Sequence, residues 1–114
     1  MNIRDLFDKD NAGVRQSIII HFYYGVSSLD PLHALESKLR IALHNTGLGE
    51  HDGHEIAMDD SDGFLYLYGT NAEALFKFIR PILFTAPFMH RAEVNLRFGA
   101  VDDPTVSDID FILE

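Results

Sequence analysis

The side chains able to do chemistry in this 114-residue chain are six histidines and eighteen acids, and no cysteine joins them. A thiolate metal site, a Cys nucleophile and a disulfide are thereby excluded. The densest stretch is GLGEHDGHEIAMDDSDG, residues 47–63, with two histidines, six acids and four glycines. Its EHDGHE segment sets His51 and His54 three apart, beside Glu50, Asp52 and Glu55. A catalytic zinc usually takes three protein ligands, however, and the H-E-x-x-H order is absent. The segment reads as a loop entering a strand, where a spacing of three does not align side chains as it does on a helix. The expectation is therefore no metal, with His51 and His54 as the pair that would ligate one. The DDSDG end invites a calcium-loop reading with Gly63 at the sixth position. Met58 then falls at the first position and Gly69 at the twelfth, where acids are required, so a hairpin turn accounts for it better.

His21 has a different setting. SIIIHFYYG, residues 17–25, is a near-continuous apolar run of β-branched and aromatic residues, the pattern of a strand central in its sheet. Along it Ile18, Ile20, Phe22 and Tyr24 share one face, and Ile19, His21 and Tyr23 share the other. Both faces are apolar, so composition alone does not say which is inward. With the first set inward, His21 and Tyr23 lie on an open sheet face. Phe64, Tyr66 and Tyr68 join them from one strand, and Arg91, Glu93, Asn95 and Arg97 from another. His21 could there act as an acid–base group, with Tyr23, Tyr66 or Tyr68 positioning a ligand. The same rings and arginines suit a protein interface, and the chain's own ends could also fold over the face. His33 and His44 on the first helix, and His90 at the start of the last strand, imply no chemistry.

The elements that must position these residues are well punctuated. In LDPLHALESKLRIALHNTG, residues 29–47, Asp30 can cap, Pro31 fits the first helical position and Gly47 can end the helix. Leu32, Leu35, Leu39, Ala42 and Leu43 recur at helical spacing, and Glu36 and Arg40 sit one turn apart on the wet side. HEIAMD (54–59) and GFLYLYG (63–69) read as a hairpin turned by DSDG (60–63). TNAEALFKFIRPILF, residues 70–84, reads as a second helix with a Thr70–Glu73 capping box and a kink or end at Pro81. HRAEVNLRFG, residues 90–99, alternates as a strand with one wet face.

The order β-α-β-β-α-β with right-handed crossovers resembles the ferredoxin-like plait over about residues 17–99. That resemblance implies an α+β fold: a four-stranded antiparallel sheet of order 4-1-3-2 with two helices on one face. The apolar first and third strands would be central, and the polar second and fourth would be edges. The likeness is to a fold pattern and carries over no catalytic residue. Residues 1–16 form an N-terminal extension in which MNIRDLF reads as a short helix. Residues 100–114 form an acidic C-terminal extension. Its Ile109, Phe111 and Leu113 alternate, as an added edge strand on this sheet or a partner's would; a disordered tail is the alternative.

Nucleophile-elbow, Walker and dinucleotide-binding motifs are absent. GLGEHDG follows a helix and precedes a strand, the wrong order for a phosphate cradle. Nine basic against eighteen acidic residues, net −9, disfavour nucleic-acid backbones; such acidity more often keeps a protein soluble and less often steers it to a basic partner. The charged opening MNIRDLFDKDNAGVRQ lacks the apolar run of a leader, and no stretch is long enough to span a membrane. The expectation is one cytoplasmic domain, residues 1–114, acting without cofactor as a protein-interaction or regulatory module. It would act as a homodimer through the open face, and an immunity-type binder of a basic protein is the more specific version of that reading. Tyr23, Phe64, Tyr66, Tyr68, Glu93 and Arg97 would form its working surface. The alternative is an enzyme or small-molecule binder similar to dimeric α+β barrels, with a pocket around His21.

Overall fold

The computed structural model describes residues 15–100 and 103–114. The helix expected within MNIRDLF lies outside the described residues. The elements are β1 (Gln16–Tyr23), α1 (Asp30–Leu43), β2 (Glu50–Ile56), β3 (Asp62–Gly69) and α2 (Ala72–Leu83). A 3-10 turn at Pro87–Met89, β4 (Glu93–Arg97) and β5 (Asp108–Ile112) follow. The described chain is α+β, with two helices and a five-stranded antiparallel sheet, compatible with a plait-like fold. None of its helices is long and apolar enough to cross a membrane.

The sheet order is β2-β3-β1-β4-β5, which differs from the four-stranded 4-1-3-2 expected. Read from the other edge it is 5-4-1-3-2, so the difference is the fifth strand. β4 is consequently internal rather than an edge. Cross-strand pairing explains why β5 docks here. Phe111 lies opposite Val94 and Ile109 opposite Leu96 on the helix-covered face. Phe111 meets Phe76 of α2 edge-on at 5.0 Å between ring centroids, and Leu113 is buried beyond the strand's end.

The core lies between one sheet face and both helices. Ile18, Ile20 and Phe22 of β1 are fully buried with Leu65 and Leu67 of β3 and Val94 and Leu96 of β4. They pack with Leu32, Leu35, Leu39 and Leu43 of α1 and Leu75, Phe76, Ile79 and Leu83 of α2. This fixes the inward face of β1 and turns Ile19, His21 and Tyr23 the other way. Tyr24 ties the core to α1, since its hydroxyl donates to the Ser28 carbonyl and accepts from Leu32 N.

Several boundaries depart from the sequence reading. β2 begins at Glu50, so His51 belongs to the strand rather than to a preceding loop. The hairpin turns earlier than DSDG. Asp59 accepts from Ser61 N at 3.1 Å and from Ser61 Oγ at 2.6 Å, an Asx turn that leaves Asp62 inside β3. α2 is capped by Asn71, whose side chain accepts from Ala74 N at 2.9 Å, in place of the Thr70 box. Pro81 sits within α2 on its exposed side without ending it. α1 stops at Leu43, before Gly47, and Asp30 is its first residue rather than its cap.

Candidate functional site

The open face is assembled by register. His21 lies opposite Phe64 of β3 on one side and Glu93 of β4 on the other. Its ring stacks on Phe64 with centroids 4.7 Å apart and planes inclined by 22°. Nε2 is 2.7 Å from Asp62 Oδ2, and Nδ1 is 3.0 Å from Glu93 Oε2. Tyr23 OH donates to the same Glu93 oxygen at 3.0 Å. A neutral imidazole has one N–H and can donate to only one carboxylate. Donating to both requires the imidazolium, and the environment favours that form. The Asp62 hydrogen bond raises the His21 pKa above its ordinary value, partial burial opposes this, and Glu93 adds to the rise. In turn the His21 bond, then the Tyr23 bond, holds the Glu93 carboxyl below its usual range. Glu93 pushes the Tyr23 phenol up.

The rest of the face extends from this cluster. Phe64 and Tyr66 rings lie nearly parallel, 15° apart with centroids at 6.3 Å. Burial, and then Glu55, raise the Tyr66 phenol. Tyr68 lies farther along β3, beneath the Arg15 guanidinium at 5.7 Å, and Arg15 also pairs with Glu50 at 2.9 Å. Tyr23 is 60 % exposed. Of the residues expected here, Tyr23, Phe64 and Glu93 contact His21 or its carboxylates, and Tyr66 adjoins them through Phe64. Arg97 does not. It lies opposite Ser17 of β1, and its side chain donates to the backbone carbonyls of Ala100 and Asp103, bracing the connection into β5. Asp62 was missed, because the turn reading of DSDG took it out of the sheet; no local spacing marks it as a partner of a histidine 41 positions away.

The charge on this face is one-sided. Residues directly opposite in an antiparallel pair point to the same side. Glu50, Glu55 and Asp62 therefore join the β1–β3 rings, and Glu93, Asp108 and Asp110 line the other half. Against these six carboxylates the described residues set the guanidiniums of Arg15 and Arg97 and the His21 imidazolium. Asn95 takes up part of the acid, donating to Asp108 and Asp110 at 2.9 Å each.

A second cluster lies on the covered side of the sheet, between α1 and β2. Glu36, expected on the wet face of α1, is only 3 % exposed. Its Oε2 is 2.8 Å from His51 Nε2 and 2.9 Å from His54 Nδ1. Both histidines face inward because the β2–β3 register slips between His51 and Gly53. Residues three apart in a regular strand point to opposite faces, and the one-residue bulge at Asp52 restores them to one face. Gly53 follows the bulge with φ +143°, a conformation side chains rarely tolerate. This overturns the argument that a spacing of three fails to align the two rings.

The His51 side chain is 2 % exposed. Its Nε2, although close to the carboxylate, lies off the line of a hydrogen bond and has no hydrogen-bond partner among the described residues. Burial pushes the His51 pKa down, against the attraction of Glu36. Arg40, one turn along α1, reaches His51 Nδ1 at 3.4 Å rather than pairing with Glu36. His33 completes the group: ligand atoms of His33, Glu36 and His54 lie within 4.8 Å of one another.

No protein-family model, curated protein or solved structure was found to match the chain. The functional reading therefore rests on the geometry.

Proposed function

We propose that this protein is a non-catalytic binding module whose open sheet face takes a basic segment of another protein. The observation that carries the reading is the face itself: six carboxylates interleaved with Tyr23, Phe64, Tyr66 and Tyr68. Exposed rings provide flat anchors of low entropy cost and stack on guanidinium or ammonium groups. Carboxylates beside them supply charge-assisted hydrogen bonds and steer a basic partner. A recess of about 200 Å³ at the hairpin end, lined by Glu55, Ile56, Ala57, Asp62, Gly63 and Phe64, suits the head of one Lys or Arg side chain. Homodimerisation through the same face would oppose these carboxylates to their own copies, so the heterologous basic partner is the stronger form of the reading.

The pocket alternative asks His21 to exchange protons with a substrate. Both its nitrogens are already engaged by carboxylates, so the ring offers no free base. This supports the interface reading over the catalytic one. Within the same proposal the first four strands and two helices form a ferredoxin-like plait extended by β5, in a cytoplasmic protein.

Calorimetric titration of the full chain with a Lys/Arg-rich peptide, and with its Asp/Glu counterpart, tests the proposal. Binding of the basic peptide alone is expected, weakening as salt screens the carboxylates, and lost in a Glu55→Gln/Tyr66→Ala variant. Equal binding of both peptides, or of neither, would overturn it.

A further inference from the structure

We propose that His33, Glu36 and His54 form a binding site for one divalent transition-metal ion of the zinc type, at the seam between α1 and β2. The site is distinct from the open face, which lies on the opposite side of the sheet. Three independent features of the structure lead to it.

The first is placement. His33 and Glu36 are three apart on α1 and so share one helix face. The bulge at Asp52 turns His54 of β2 toward them. The three ligand atoms lie within 4.8 Å of one another, and Glu36 Oε2 and His54 Nδ1 are 2.9 Å apart. Tetrahedral ligands at zinc–ligand distances of about 2.0–2.1 Å are about 3.3 Å from each other, so small side-chain shifts convert this arrangement into a coordination shell.

The second is the state of Glu36. A carboxylate with a side chain 4 % exposed loses its hydration and needs compensation. No lysine or arginine pairs with it among the described residues; its partners are imidazoles. Arg40 is near enough to have served, yet reaches His51 instead. A divalent cation would supply the missing charge.

The third is His51. Its Nε2 is buried 2.8 Å from Glu36 Oε2, yet off the line of a hydrogen bond and so without a partner among the described residues. With Arg40 donating to Nδ1, the hydrogen belongs on Nε2. The same small side-chain shifts that admit an ion would bring this N–H into line with the carboxylate, making His51 a positioning residue of the kind outer partners supply in metal sites.

The donor set selects the ion. Two imidazoles and one carboxylate suit zinc and its neighbours, whereas calcium and magnesium require shells of oxygen. Three protein ligands leave a fourth position for water. His33 is exposed, so that position opens to solvent and the ion can enter.

The test is titration of the full chain with Zn²⁺ alone, repeated with Co²⁺ to read coordination from its visible bands. One equivalent is expected to bind, to raise Tm and to give the intense bands of a tetrahedral site. Because Glu36 is buried and Glu36→Gln could perturb folding, the deciding variants are His33→Ala, at an exposed position, and His54→Ala. Each should weaken binding about tenfold or more, and His51→Gln should weaken it by about ten- to a hundredfold. His44→Ala, on the exposed end of α1, serves as control and should change nothing. Absence of stoichiometric binding would overturn the proposal, as would affinity indifferent to His33→Ala and His54→Ala, or an equal loss in His44→Ala.

Discussion

Replacing His21 by phenylalanine keeps a ring against Phe64 and removes both carboxylate bonds. The wild-type ring sits 2.7 Å from Asp62 and 3.0 Å from Glu93, with 23 % of its side chain exposed. Hydrogen bonds to charged groups contribute about 1.5–3 kcal/mol each when well buried. Here Asp62 and Glu93 are 36 % and 48 % exposed and recover hydration when the ring is lost, so the Asp62 bond is discounted to about 0.5–1 kcal/mol and the Glu93 bond is left out of the sum. The expected loss is about 0.5–1 kcal/mol where His21 is charged, a fall in Tm of roughly 2–6 °C for a domain of this size.

The pH dependence of that loss carries the stronger information. His21 has a folded-state pKa above its unfolded value, with the Asp62 bond as the main cause. Its contribution is thus fully present below the unfolded value of about 6.5 and disappears as pH rises through the folded value. Urea unfolding followed by circular dichroism, from about pH 5.5 to about pH 9, should show the gap between wild type and His21→Phe shrinking as pH rises. A gap that stayed constant, or widened with pH, would refute the imidazolium clamp and restore His21 as a free base. An NMR titration placing the His21 pKa below 6.5 would do the same.

Other outcomes follow from single contacts. Gly53→Ala forces a Cβ into φ +143° and should destabilise by about 1–3 kcal/mol, measured by urea unfolding, while weakening zinc binding through loss of the bulge. Phe111→Ala removes the edge contact with Phe76 and should cost about 2 kcal/mol, with faster amide exchange across β4 and β5 than in β2 and β3. Tyr24→Phe strips the hydroxyl joining Ser28 and Leu32 and should cost about 1 kcal/mol in the same unfolding assay.

Much of the architecture was legible because its signals are local. The leucines of α1 recur at helical spacing after Asp30-Pro31, and all four prove buried. The alternation of Val94 and Leu96 marked the wet face of β4 correctly, and the same logic at Phe111 and Leu113 marked an added strand. What the sequence hid was parity and partnership. β1 is apolar on both sides, so only its pairing with β3 and β4 decides that His21 faces out. One bulged residue reverses which β2 side chains face α1, and Gly53 was its sole local trace. Glu36 looked like half of an exposed pair with Arg40. Its burial arises because β2 begins at Glu50 and lies across that turn of α1. Asp62 passed for turn chemistry, since the Asx turn at Asp59 that displaces it uses the same residue types.

Mapping where a basic peptide sits shows whether the acidic aromatic face is the working surface. Backbone and ring signals of the isotopically labelled full chain would be followed by NMR while a Lys/Arg-rich peptide is added. Shifts are expected to concentrate at Tyr23, Phe64, Tyr66 and Glu93 and to leave the helix side, represented by Ile41 and Ile82, unmoved. Shifts centred on the helices, with the His21 cluster silent, would contradict it.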